Sequence, residues 1–142
     1  MLINISQNLK AMIALPVMGR GKGEFMAVNS KQKGARFERQ LASLFREYGY
    51  ADSRRTAQYC GNTGDASDVV GLPGIHVEAK HQERMQLYDW MDQAKRDSQG
   101  TGNIPAVFHK KNNHEILVTM QFDCFMELYK EWQAGQILKA GE

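Results

Sequence analysis

The sequence predicts an α/β protein: a mixed central β-sheet flanked by helices, in the order α-β-β-β-α-β-β-α. Three observations carry this. Apolar residues recur at helical spacing in three stretches, short β-branched or alternating runs fall between them, and breaks bearing glycine or asparagine separate the two kinds of segment. The 142 residues fit one domain with a respectable core. A content of 42% hydrophobic and 24% charged residues is ordinary for a globular chain and argues against disorder. No apolar run is long enough to cross a bilayer, so no membrane partner is expected.

The elements follow in order from about Ser30, a plausible N-cap. Phe37, Leu41, Leu44, Phe45 and Tyr48 form one helical stripe, and Gly49 supplies the stop. Tyr50 to Ala57 reads as a first strand and Gly61-Asn62-Thr63-Gly64 as a loop. Short strands follow at Asp68 to Gly71 and Ile75 to His81. A second helix, near Met85 to Ser98, offers Leu87, Tyr88, Met91 and Ala94 as its core face. Ile104 to Lys110 and Glu115 to Met120 form a strand pair about the turn Asn112-Asn113. A third helix spans Asp123 to Ala134, with Phe125, Leu128, Tyr129 and Trp132 on one side.

Residues 1–25 have no steady period and contain the basic run Gly19-Arg20-Gly21-Lys22-Gly23. They make a poor signal peptide. Two readings stand: a leader read in frame ahead of Met26, or a disordered basic arm that helps hold DNA. The folded domain is expected over residues 26–142. Cys60 and Cys124 lack the paired spacing of a zinc site and are expected as free thiols in a reducing cytosol.

The chemistry concentrates at Ser67-Asp68-Val69-Val70 and Ile75-His76-Val77-Glu78-Ala79-Lys80. On a strand, alternation sends His76, Glu78 and Lys80 to one face and Ile75, Val77 and Ala79 to the other. Two carboxylates, Asp68 and Glu78, can hold a hard divalent cation, while a neighbouring lysine steadies an attacking water or a developing negative charge. Glu-x-Lys alone carries little information, and its bland reading is a surface ion pair on an exposed strand. The segment from Lys31 to Arg55 holds seven basic residues against three acidic ones, a net of four positive charges within a chain of net +2. Such a patch suits a polyanion, although a solvated helix face has the same composition.

The run Lys33-Gly34-Ala35-Arg36-Phe37-Glu38-Arg39-Gln40-Leu41 resembles the opening of archaeal Holliday-junction resolvases, and the Asp68 and Glu78-Ala79-Lys80 motifs follow in that family's order. Over about Ser30 to Trp132 the chain is similar to the PD-(D/E)XK nuclease superfamily, in particular to resolvase-like endonucleases of bacteriophages and prophages. The resemblance implies a restriction-endonuclease-like core and a metal-dependent endonuclease cutting DNA, with branched DNA a candidate substrate, as a homodimer in the cytoplasm of a bacterial or phage-infected host. It implies Mg²⁺, with Mn²⁺ as a substitute, held by Asp68, Glu78, the Ala79 carbonyl and Glu38. Lys80 would orient the hydrolytic water, with Gln93 facing the site from the following helix. Lys31, Lys33, Arg36, Arg39, Arg54 and Arg55 would contact DNA. The chain departs from the archaeal pattern in the loop Gln58 to Ala66, which lengthens the interval from Glu38 to Asp68, and in lacking a proline before Asp68.

Two rivals are weighed against this. A non-catalytic DNA-binding or scaffold module on the same fold would use the basic segment equally well, but a cluster of like charges is costly to retain without a cation. A restriction-like, repair or RNA-directed nuclease shares the chemistry and differs only in target. His76, His81, His109 and His114 lack ligand spacing and are read as surface or core histidines. Trp90 and Trp132 are read as core or dimer contacts. Lys110 and Lys111 are read as hairpin lysines serving solubility and edge protection.

Overall fold

The computed structural model describes residues 30–56 and 67–142. The expected leader or arm, Cys60 and the loop Gln58 to Ala66 lie outside the described residues, and Cys124 is a free thiol. In chain order the elements are α1 (Ser30–Glu47), β1 (Arg54–Arg55), β2 (Val69–Val70), β3 (Ile75–His81), α2 (Leu87–Asp97), β4 (Ile104–Lys110), β5 (Leu117–Met120) and α3 (Phe122–Ala140).

The five strands lie in the order β1-β2-β3-β4-β5. Every pairing is antiparallel except β3 with β4. A parallel neighbour requires a crossover, and α2 supplies it. The register pairs Val77 with Ala106 and Glu78 with Val107, so Val77 and Val107 point to opposite faces. Helix α1 covers the first face, packing Phe37, Leu41 and Ala42 onto Val69 and Val77. Helix α2 covers the second, packing Trp90, Met91 and Ala94 onto Val107. The result is a mixed sheet between helices, as the sequence predicts.

Strand β3 is therefore central and covered on both sides. His76 and Glu78, on its polar face, are as buried as Val77, which removes the reading of Glu-x-Lys as an exposed strand.

Several boundaries shift for local reasons. The first strand, expected over Tyr50–Ala57, is Arg54–Arg55 among the described residues, Ala57 lying outside them; its start is later because the chain first turns through residues 51 and 52, with the Arg46 guanidinium donating to the Ser53 carbonyl at 2.6 Å. Ser30 is the first helical residue of α1 rather than its cap. Gly49 ends that helix at φ 102°, a conformation free of penalty only for glycine, and Tyr48 lies past the end, exposed instead of in the core. In α2, Tyr88 is exposed and Trp90 is buried in its place, the burial centring on Trp90, Met91 and Ala94. Helix α3 runs past the expected stop at Ala134 to Ala140, since one interior glycine, Gly135, costs only about 1 kcal/mol. Its expected core side, Phe125, Leu128, Tyr129 and Trp132, is exposed.

Candidate active site

Glu78 sits mid-strand in β3 with its carboxylate buried between the sheet and α2. A buried carboxylate needs a partner, and Lys80, two residues on and on the same face, places Nζ 2.8 Å from Glu78 Oε1. The same Nζ donates to Gln93 Oε1 of α2 at 3.1 Å. The ammonium is thus held between two oxygens from two elements, and its position is fixed by the packing of helix on sheet.

Asp68 stands immediately before β2. Its backbone N–H donates to the Val77 carbonyl at 2.8 Å, and its Oδ2 accepts the Ala79 N–H at 2.8 Å. Ser67, beside it and buried, accepts the Val77 N–H at 2.8 Å through its hydroxyl. These bonds fasten Asp68 to the middle of β3. Burial, and then the carboxylates of Glu78 and Glu38, push the Asp68 carboxyl from an ordinary 3.8 up to about 7, against the pull of the Ala79 N–H and the Lys80 ammonium. Asp68, Glu78 and Lys80 therefore lie together where β2 meets β3, with Glu38 near enough to act on the Asp68 carboxyl.

Glu38 projects from α1 and is paired with the Arg55 guanidinium of β1. Arg55, expected on DNA, pairs with this acid, while Arg54, Arg36 and Arg39 are exposed. Lys31 is exposed, and Lys33 is half-buried with Nζ 3.6 Å from Glu83. The basic segment thus divides into residues presented to solvent and residues engaged within the fold.

Hard oxygen donors suit magnesium or manganese, and Asp68, Glu78, Glu38 and the Ala79 carbonyl are of that kind. Yet among the described residues no three His, Cys, Asp or Glu side chains are grouped as a metal cage. In this structure Glu78 pairs with Lys80, Glu38 with Arg55 and Asp68 with the Ala79 amide. Burial first, and the carboxylates of Glu78 and Glu38 second, raise the Asp68 carboxyl, and a bound divalent cation would offset both. By chemical type, these oxygen donors suit a hard divalent cation.

Residues 29–139 match the family model described as phage putative PDDEXK endonuclease. The chain belongs to this family. No curated protein and no solved structure matches it. Membership places the chain in the PD-(D/E)XK superfamily and makes it of phage nuclease type. Among the described residues no helix is long and apolar enough to cross a membrane.

Within this PDDEXK chain, sequence reasoning missed two supports of the site. One is the pairing of Arg55 with Glu38, which links residues far apart in the chain and leaves no periodic trace. The other is Ser67, whose signal was its place directly before Asp68. Two of the histidines pack against aromatic side chains. His109 is buried against Trp90, with its ring 2.9 Å from the Thr119 hydroxyl, and burial holds its pKa below the ordinary value. His81 packs edge-on to Phe37. Burial, with the nearby Lys33 and Lys110, lowers its pKa as well.

Proposed function

We propose that this chain is a metal-dependent endodeoxyribonuclease of Holliday-junction resolvase-like, structure-directed type, working as a homodimer in the cytoplasm of a bacterial or phage-infected host. The nuclease domain in this reading is residues 26–142. The supporting observation is the convergence of Asp68, Glu78, Lys80 and Gln93 on the junction of β2, β3 and α2, in a chain of the PDDEXK endonuclease family.

In the proposed mechanism Asp68, Glu78 and the Ala79 carbonyl hold Mg²⁺, or Mn²⁺ in its place, with Glu38 completing the donor set directly or through water. When bound, the ion polarises a non-bridging phosphate oxygen. Lys80 holds the attacking water in line and offsets negative charge growing at phosphorus. Gln93 keeps the Lys80 ammonium aimed. The water gives up one proton to solvent as its oxygen bonds to phosphorus, the bond to the 3′ oxygen breaks, and the released 3′ oxyanion takes up a proton, leaving a 5′-phosphate and a 3′-hydroxyl. Lys31, Lys33, Arg36, Arg39 and Arg54 supply phosphate contacts, and Arg55 acts through Glu38.

The test is a panel of linear, nicked, flapped and four-way DNA with and without Mg²⁺. The reading expects Mg²⁺-dependent cleavage strongest on the four-way substrate, lost in Glu78→Ala and Asp68→Asn while DNA binding persists. Cleavage by either variant at the wild-type rate overturns the site. Equal cleavage of linear and branched DNA overturns the structural preference and leaves a restriction- or repair-type nuclease.

A further inference from the structure

Helix α3 is 19 residues long and every one of its residues is exposed or half-buried. Helices in water draw most of their stability from packing an apolar face, and α3 has such a face that no described residue covers. Phe125, Leu128, Tyr129 and Trp132 stand at i, i+3, i+4 and i+7, one stripe on a helix, and are 39–58% exposed. Tyr129 lies 6.3 Å from Phe125 and 5.6 Å from Trp132 between ring centroids, so the stripe is continuous. Phe122, 74% exposed, carries it on to a groove of about 430 Å³ between α2 and β5. Asp123, Glu127, Lys130 and Glu131 fall off the stripe by helical spacing.

With about 200 Å² for a whole aromatic side chain, the four aromatic residues of α3 present roughly 450 Å² per copy. A monomer rarely exposes an apolar patch larger than a few hundred Å² without a use for it. Two such stripes together, with Leu128 and the groove mouths, reach the ~1,000 Å² at which a specific interface begins.

We propose that a second copy of this chain covers the stripe, with α3 packing antiparallel on α3 about a two-fold axis between Leu128 and Tyr129. The pattern is its own complement under that operation: Leu128 meets Tyr129 of the other copy, and Phe125 meets Trp132, so the contact is isologous and closes. Antiparallel helices also set opposite dipole ends side by side. The interface deepens the nuclease reading by naming the surface through which two cutting sites are joined, and it rests on that reading only for this use.

Sedimentation equilibrium of the full chain tests it, with twice the mass of one chain expected for wild type and a single chain's mass for Trp132→Glu. Catalytically inactive Glu78→Ala is expected to dimerise like wild type, which separates this proposal from the nuclease reading. A wild-type monomer at high concentration overturns it, as does a Trp132→Glu dimer. Since that variant could misfold, a second measurement uses Cys60→Ser/Cys124→Ser protein carrying Leu128→Cys or Glu127→Cys. Oxidation should cross-link the first, on the axis, and spare the second, on the far side. Equal cross-linking of both, or of neither, overturns the geometry.

Discussion

The ammonium of Lys80 has two neighbours, Glu78 Oε1 at 2.8 Å and Gln93 Oε1 at 3.1 Å, and they do different things. Glu78 balances the charge; Gln93 fixes the direction. A hydrogen bond to a charged group is worth about 1.5–3 kcal/mol, so Gln93→Ala should lower kcat roughly tenfold or more while leaving KM for DNA unchanged. Single-turnover cleavage measures this, and an unaltered kcat would show that Gln93 only packs. Arg55 yields a second prediction. Arg54→Ala and Arg55→Ala both remove a basic residue from β1, but only Arg55 is paired with Glu38, whose side chain is 12% exposed. Losing that partner leaves a largely buried acid, so urea denaturation should place Arg55→Ala about 1–3 kcal/mol below Arg54→Ala. Glu78 and Lys80 were legible in the sequence, placed on one face by strand alternation, whereas Gln93 came from the family resemblance alone, since its reach from α2 to Lys80 leaves no local pattern. Arg55 was not legible, because charge alone does not distinguish a phosphate contact from an internal counter-ion.

Among the elements, the legible part is what local periodicity dictates. Phe37 and Leu41 marked the buried face of α1, and β3 and β4 lie where the β-branched and alternating runs stand. What local pattern misses is the partner. Tyr88 and Trp90 compete for the same helix, and only the position of β4 beneath α2 decides for Trp90; likewise the stripe of α3 reads as core whether or not its own chain covers it. Two glycines in the β2–β3 connection show how tertiary contact changes the meaning of a residue. Gly71 has φ 91° and Gly74 φ 78°. A Cβ at Gly74 would meet nothing, whereas one at Gly71 would lie 2.6 Å from the Ser53 backbone, where the chain enters β1. Gly74→Ala should cost about 1 kcal/mol from backbone conformation alone. Gly71→Ala should cost clearly more and should also lower cleavage, because β1 must move and it carries the counter-ion of Glu38. Denaturation midpoints for the pair test this; equal losses would mean that the approach of Ser53 to Gly71 is unimportant.

At the scale of the whole molecule, the site opposes the stability of the fold that builds it. The Asp68 carboxyl titrates near 7 in the folded protein and near 3.8 when unexposed to its neighbours. Between those values the folded state binds the proton more tightly than the unfolded state, so stability is highest below the unfolded value and declines as pH rises toward 7. Raising a carboxyl from 3.8 to about 7 is worth at most about 4 kcal/mol, at 1.36 kcal/mol per tenfold change in proton affinity. Buried His109 acts in the opposite sense: its lowered pKa contributes stability above the ordinary histidine value that is lost as pH falls through the folded one. The raw pH profile therefore mixes Asp68 with His109 and with His81, whose pKa is lowered as well, and Asp68→Asn isolates the Asp68 part, because the amide has the same shape and no charge. In EDTA at pH 8 this inactive variant should unfold at a higher temperature than wild type, and near pH 4 the two should converge. Adding Mg²⁺ should raise the wild-type Tm more at pH 8 than at pH 5, and should do little for the variant, since a cation relieves the same repulsion that the amide removes. Calorimetry across this range decides the matter. An Asp68→Asn protein that is no more stable than wild type at pH 8 would mean that Asp68 carries no stored repulsion and that the proposed ion has nothing to relieve.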